Sequence, residues 1–139
     1  MEMKASRQLR DEHEGIRMML RIMEAMRKQA QDSGDLDKDH FTTVLEFLQV
    51  FVDRCHHAKE EELLFPALEA AGVPRDGGPI GVMLYEHALG RELLKAMDGS
   101  FRAYNQGDRS ALKDIFYNIQ EYIALLSGHI DKENGILFD

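Results

Sequence analysis

Tryptophan is absent from this 139-residue chain, cysteine occurs once and proline three times. A single cysteine, Cys55, excludes an internal disulfide framework and fits a reducing compartment. Cations are also in short supply: Lys and Arg number 17 against 25 Asp and Glu, for a formal charge of -8. That balance excludes a nucleic-acid partner and an anionic-membrane partner, because phosphate binding needs clustered positive charge. No apolar run approaches the roughly 20 residues that a bilayer-spanning helix needs. The opening MEMKASRQLRDEHEG is too charged for a secretory signal, so a cytoplasmic protein is expected. With no low-complexity tract and no long linker, residues 1–139 read as one domain, long enough to bury a full core.

What the sequence does have is apolar spacing of the helical kind nearly throughout, without the alternation of a strand. Leu9, Ile16, Leu20, Met23 and Met26 predict a first helix from about Lys4 to Gln31, stopped at Asp32-Ser33-Gly34. Phe41, Val44, Leu45, Leu48, Phe51, Val52 and Leu63 predict a second from about Asp37 towards Ala71, with Pro66 kinking or shortening its last turns. The glycine- and proline-rich GVPRDGGPIG at 72–81 is a loop. A third helix is expected from about Ile80 to Asn105, and a last one from about Arg109, with Asp108 as its N-cap. Ile115, Ile119, Tyr122, Ile123 and Leu126 fall on its inner side. Short connections between four helices give an all-α, antiparallel up-down-up-down four-helix bundle.

A repeat sets the register. His56-His57-Ala58-Lys59-Glu60-Glu61-Glu62-Leu63-Leu64-Phe65 and His129-Ile130-Asp131-Lys132-Glu133-Asn134-Gly135-Ile136-Leu137-Phe138 both read H-x-x-K-E-x-x-[LI]-L-F, at an offset of 73 residues. Glu12-His13 through Arg17 lines up likewise with Glu86-His87 through Arg91, at an offset of 74. The chain is a helix pair used twice, with one histidine in each first helix and H-x-x-x-E in each second. His57 and Glu61 have no counterpart of their own kind.

Positions i and i+4 of a helix lie about one turn apart on nearly the same face. His56 with Glu60, and His129 with Glu133, can therefore address one centre. Each of the four repeat histidines lies about 19–20 residues from its hairpin turn, so at about 1.5 Å per residue all reach one layer of an antiparallel bundle. Buried carboxylates are costly unless paired or bound to metal. Six donors exceed what one tetrahedral zinc needs. Two metals bridged by Glu60 and Glu133, with two histidines each from His13, His56, His87 and His129, account for the whole set. Nitrogen and carboxylate ligation with open positions suits iron, and manganese or zinc fits the same cage.

The set EH…R, HHAKEEELLFP, YEHALGREL and HIDKENGILF resembles the bacterial hemerythrin-like, or HHE cation-binding, family over essentially the whole chain. The resemblance implies a non-haem di-iron centre bridged by an oxo or hydroxo group and two carboxylates, with His13, His56, Glu60, His87, His129 and Glu133 as ligands. Oxygen carriers of the family have a fifth histidine where this sequence has Arg91. That moves the chain towards the branch with four histidines and two glutamates, which includes proteins linked to nitric oxide, peroxide and iron-sulfur cluster repair. The expected function is binding of, or reaction with, a small diatomic or peroxide ligand at the metal pair. Two other readings stand beside it: a metal- or redox-state sensor that signals to a protein partner, and a structural zinc-binding bundle.

Several neighbouring residues have plainer readings. His40 and His57 read as surface or internally satisfied histidines. Arg17 and Arg91 read as surface ion pairs, with a grip on a bridging carboxylate as the functional alternative. Glu12 and Glu86 are placed to accept the second N–H of a ligand histidine, or else lie on a solvated face. Gly90 and Gly128 suggest close helix approach or room for a small ligand. The methionines read as core filler, and Cys55 as an inert buried thiol.

Overall fold

A computed structural model describes the backbone of residues 2–137 and the side chains of residues 7–135. The fold is all-helical, with 87% of the chain in helix and no strand among the described residues. Helix α1 runs Glu2–Ser33, and Gly34 closes it with φ 83, a left-handed conformation that glycine adopts without penalty. Asp37 then caps α2, Lys38–Glu46, by accepting a hydrogen bond from the His40 backbone N–H at 3.1 Å. The same stretch continues as π1, Phe47–His57, then π2, Glu60–Leu64, and ends as α3, Phe65–Ala70. Both π segments are wider than an α-helix, with i to i+5 bonding. Pro66 falls in the first turn of α3, where its missing N–H costs little. It therefore marks a change of helical geometry inside the stretch.

Helix α4, Pro79–Asn105, begins on Pro79, and α5, Ala111–Lys132, passes directly into π3, Glu133–Leu137. The expected cap at Asp108 takes a different form. Its carboxylate accepts from the Ser110 backbone N–H at 3.1 Å, one turn-residue ahead of the helix proper. At the same end Tyr104 accepts from the Leu36 N–H at 3.1 Å and Arg109 donates to the Gly34 carbonyl at 2.6 Å, tying the two turns together.

Packing divides the interior into two apolar clusters. The larger one gathers Ile16, Leu20, Met23, Leu48, Val52, Leu94, Met97, Ile115, Ile119 and Leu126, among others. The smaller one holds Leu9, Leu64, Phe65, Ile80 and Met83. Full burial of each such side chain contributes about 1.5–3 kcal/mol. On α1 the larger cluster starts at Ile16 and the smaller ends at Leu9, leaving His13 between them. On α4, His87 likewise lies between Met83 and Leu94. A polar layer is thus sealed above and below by hydrocarbon. Ile136, Leu137 and Phe138, the apolar close of the second motif, lie outside the described side chains.

Cys55 is exposed, contrary to the expectation of a buried thiol. It shares π1 with His56 and His57, and those two take the inward side. No described helix is long and apolar enough to cross a membrane.

Candidate metal centre

The structure brings all six predicted residues, His13, His56, Glu60, His87, His129 and Glu133, into the layer between the two clusters. None is more than 2% exposed. Glu133 Oε1 lies 3.3 Å from His13 Nε2 and 2.9 Å from His129 Nε2. Glu60 Oε1 lies 3.1 Å from His87 Nε2 and 3.8 Å from His56 Nε2. Each carboxylate therefore stands between an imidazole of the first helix pair and one of the second.

A seventh residue belongs here. His57 is 4% exposed and its ring stacks on His87, with centroids 3.8 Å apart and planes 15° from parallel. Two groups of donors can each surround a cation: His13, His56, Glu60 and Glu133 on one side, and His57, Glu60, His87 and His129 on the other. Within each group the donor atoms lie within 4.8 Å of one another. The repeat points away from His57, which has no counterpart of its own kind, and a lone helical histidine is usually on the surface or internally satisfied. In π1 the wider turn rotates each residue less, so His56 and His57 both face inward. The signal in the sequence was the HH pair itself, flanked one turn away on each side by Asp53 and Glu61. His40, by contrast, lies on the surface with its side chain 77% exposed.

An outer layer orients the rings. His56 Nδ1–H donates to Glu12 at 2.7 Å, and Lys59 donates to the other oxygen of Glu12 at 2.5 Å. At the repeat-related positions His129 Nδ1–H donates to Glu86 at 3.0 Å, with Lys132 on Glu86 at 2.6 Å. The lysine of each H-x-x-K-E thus neutralises the carboxylate that orients the motif's histidine. His87 Nδ1–H donates to Glu61 at 2.8 Å, and His13 Nδ1–H to the Asn134 side-chain oxygen at 2.9 Å. His57 Nδ1 stands 3.8 Å from Asp53. A ring that donates from Nδ1 keeps its Nε2 lone pair for the interior, the arrangement of metal-bound histidines.

Burial governs the charge states. It pushes the His56 imidazole down to about 2, His129 to about 4, and His87 further still, each held neutral as a ligand must be. Burial also raises the Glu133 carboxyl above its usual range, against the pull of His13. The ring of His57 and the guanidinium of Arg91 hold Asp53 below the usual carboxylate range. Both oxygens of Glu60 and of Glu133, and Nε2 of His56 and His57, are buried without a hydrogen bond. Carboxylates stranded in this way cost several kcal/mol each. Neutral imidazoles cannot compensate them, and divalent cations can, so the donor set fits metal.

The remaining candidates separate cleanly. Arg17 pairs with Asp131 at 2.6 Å, and Asp131 is 71% exposed, so the plain surface reading describes it. Arg91 instead grips Asp53 at 2.8 Å and Glu61 at 2.6 Å, both part of the outer layer. A side chain at Gly90 would meet only ordinary contacts at 3.9–4.0 Å, and one at Gly128 would meet nothing within 4 Å. Neither glycine is required by close helix approach.

With this centre and helical bundle in view, the comparisons with known proteins agree. The hemerythrin HHE cation binding domain matches residues 4–139, and the chain belongs to that family. Among curated proteins it is similar to the iron-sulfur cluster repair protein YtfE of Edwardsiella ictaluri, 36% identical over 87 residues, covering 60% of this chain and 38% of that protein. It is also similar to YtfE of Dickeya chrysanthemi, 32% identical over 85 residues. YtfE of Escherichia coli is 33% identical over 85 residues, or 39% of its length. The matched part is under two-fifths of the length of these relatives. No solved structure matches.

Proposed function

We propose that residues 1–139 form one antiparallel four-helix bundle that holds a non-haem di-iron centre and uses it to bind or react with oxygen, nitric oxide or peroxide. The observation that carries this reading is the convergence of five buried imidazoles on two stranded carboxylates. Glu60 and Glu133 would each bridge both metals. His13 and His56 would complete one side, and His57, His87 and His129 the other. Iron in such a centre supplies electrons and a position for a small ligand. Manganese or zinc would fit the same donors. The residues also suggest where the ligand goes. Ile130 is related by the repeat to His57 and is 1% exposed. The two-imidazole side therefore has one imidazole fewer than its counterpart, and it is the side that would take the small ligand. The apolar clusters limit access of bulk water to the layer. The named activity of the YtfE relatives supports a setting in iron-sulfur cluster repair, and the scarcity of cysteine supports a cytoplasmic one.

Iron analysis of protein expressed with ample iron tests the proposal, followed by anaerobic reduction and exposure to oxygen, nitric oxide and peroxide in turn under an absorption spectrometer. About two irons per chain are expected, with a spectral change on at least one exposure. Under half an iron per chain, or zinc alone with no response to any of the three, would replace this reading with a structural zinc bundle.

A further inference from the structure

We propose that Arg91 is a positioning residue of the metal centre: through Asp53 and Glu61 it holds His57 and His87, and so sets the affinity of the three-imidazole side alone. The inference rests on the reading of these residues as a metal site. Asp53 lies one turn before His57 and Glu61 one turn after it, so the two carboxylates bracket that ring along the helix. Both are partly buried, with side chains 24% and 27% exposed. Left to themselves they would repel each other and turn to solvent. The Arg91 guanidinium spans them, donating from Nε to Asp53 at 2.8 Å and from Nη2 to Glu61 at 2.6 Å. A planar fork holds both acceptors in one fixed geometry, which the freely rotating ammonium of a lysine does not. Glu61 in turn accepts from His87 Nδ1 at 2.8 Å, and Asp53 faces His57 Nδ1. The parallel stack of His57 on His87 is thus braced from outside by one side chain.

The repeat supplies its own control. Arg17 is the counterpart of Arg91, four residues past its histidine. The counterparts of Asp53, His57 and Glu61 are Leu126, Ile130 and Asn134. Deprived of both carboxylates, Arg17 turns to the exposed Asp131. The same arginine position thus serves the centre in one half of the chain and only the surface in the other.

The test is an anaerobic cobalt(II) titration of metal-free protein, followed by absorption and calorimetry, on wild type, Arg91→Met, Arg91→Lys and Arg17→Met. Wild type should take two cobalt ions in two resolvable steps. Arg91→Met should weaken one step by roughly 10–100-fold, the usual cost of losing an outer partner of a metal ligand, and leave the other within about threefold. Arg91→Lys should fall between, and Arg17→Met should leave both steps unchanged. Metal-free melting temperatures of the two methionine variants should agree within a few degrees. Equal weakening of both steps, or an Arg91→Met titration matching that of Arg17→Met, would overturn the proposal. Failure of wild type to bind a pair of ions would instead remove the metal-site reading beneath it.

Discussion

The two halves of the chain build the same device with different parts. Glu12 with Lys59 and Glu86 with Lys132 orient His56 and His129 in the same way. Glu61 and Asn134, again repeat-related, receive His87 and His13. The departures all lie on one side. Asp53, His57 and Glu61 stand in the first half where Leu126, Ile130 and Asn134 stand in the second. One side of the centre therefore has three imidazoles and negatively charged outer partners, and the other has two imidazoles, one carboxylate partner and one neutral amide. A duplicated hairpin supplies a symmetric cage, and a few substitutions along one helical face make the two donor groups unequal.

The largest expected effect comes from removing what the halves share. Glu60→Gln and Glu133→Gln should each drop bound metal from about two ions per chain to below one. Metal-free stability should hold within about 1 kcal/mol or rise, since a stranded buried carboxylate is lost. Metal analysis and thermal melts check this, and full metal content in either variant would contradict a bridging role.

Next in size are exchanges between the halves. His57→Ile makes the first half resemble the second and should weaken one of two metal-binding steps by about tenfold or more. Ile130→His does the reverse and offers an imidazole at the repeat-related position, on the side proposed to take the ligand. It should retain two metals and lose the response to added small ligands, at about 1–3 kcal/mol of overpacking. An Ile130→His protein that still responds like wild type would move the ligand position elsewhere.

The smallest effect concerns acid. Unfolded imidazoles take up protons near 6.5, whereas burial holds His129 near 4 and His56 near 2. Between those values and 6.5 the unfolded chain binds more protons, so metal-free stability should fall as pH drops below about 6.5, by a few kcal/mol at most. The raised carboxyl of Glu133 takes up its proton in the folded state first and offsets part of the loss. Melting temperatures of metal-free protein between pH 7.5 and 5 read this directly, and a flat or rising trend would contradict it.

Much of the arrangement was legible because the repeat carried it. The helical stretches and the loop followed from apolar spacing and from glycine and proline, except that residues 79–81 of the expected 72–81 loop already belong to α4, which starts on Pro79. The six residues of the doubled motif converge as their equal distances from the turns require. For Glu12 and Glu86 the sequence left two readings, partner of a ligand histidine or solvated face, and the folded chain shows the first. What escaped was whatever broke α-helical period or repeat symmetry. His57 faces inward because π1 is wound wider than the spacing rule assumes, and Cys55, expected to be buried, faces solvent. The division of labour between Arg17 and Arg91 depends on which carboxylates face them from other helices, and that only the folded chain shows.

Anomalous diffraction from crystals of the iron-loaded protein tests the central claim most directly. Two peaks are predicted, both contacting Glu60 and Glu133, one completed by His13 and His56 and the other by His57, His87 and His129. A single peak, or a pair from which His57 stands apart, would contradict the proposed two-metal centre with unequal sides.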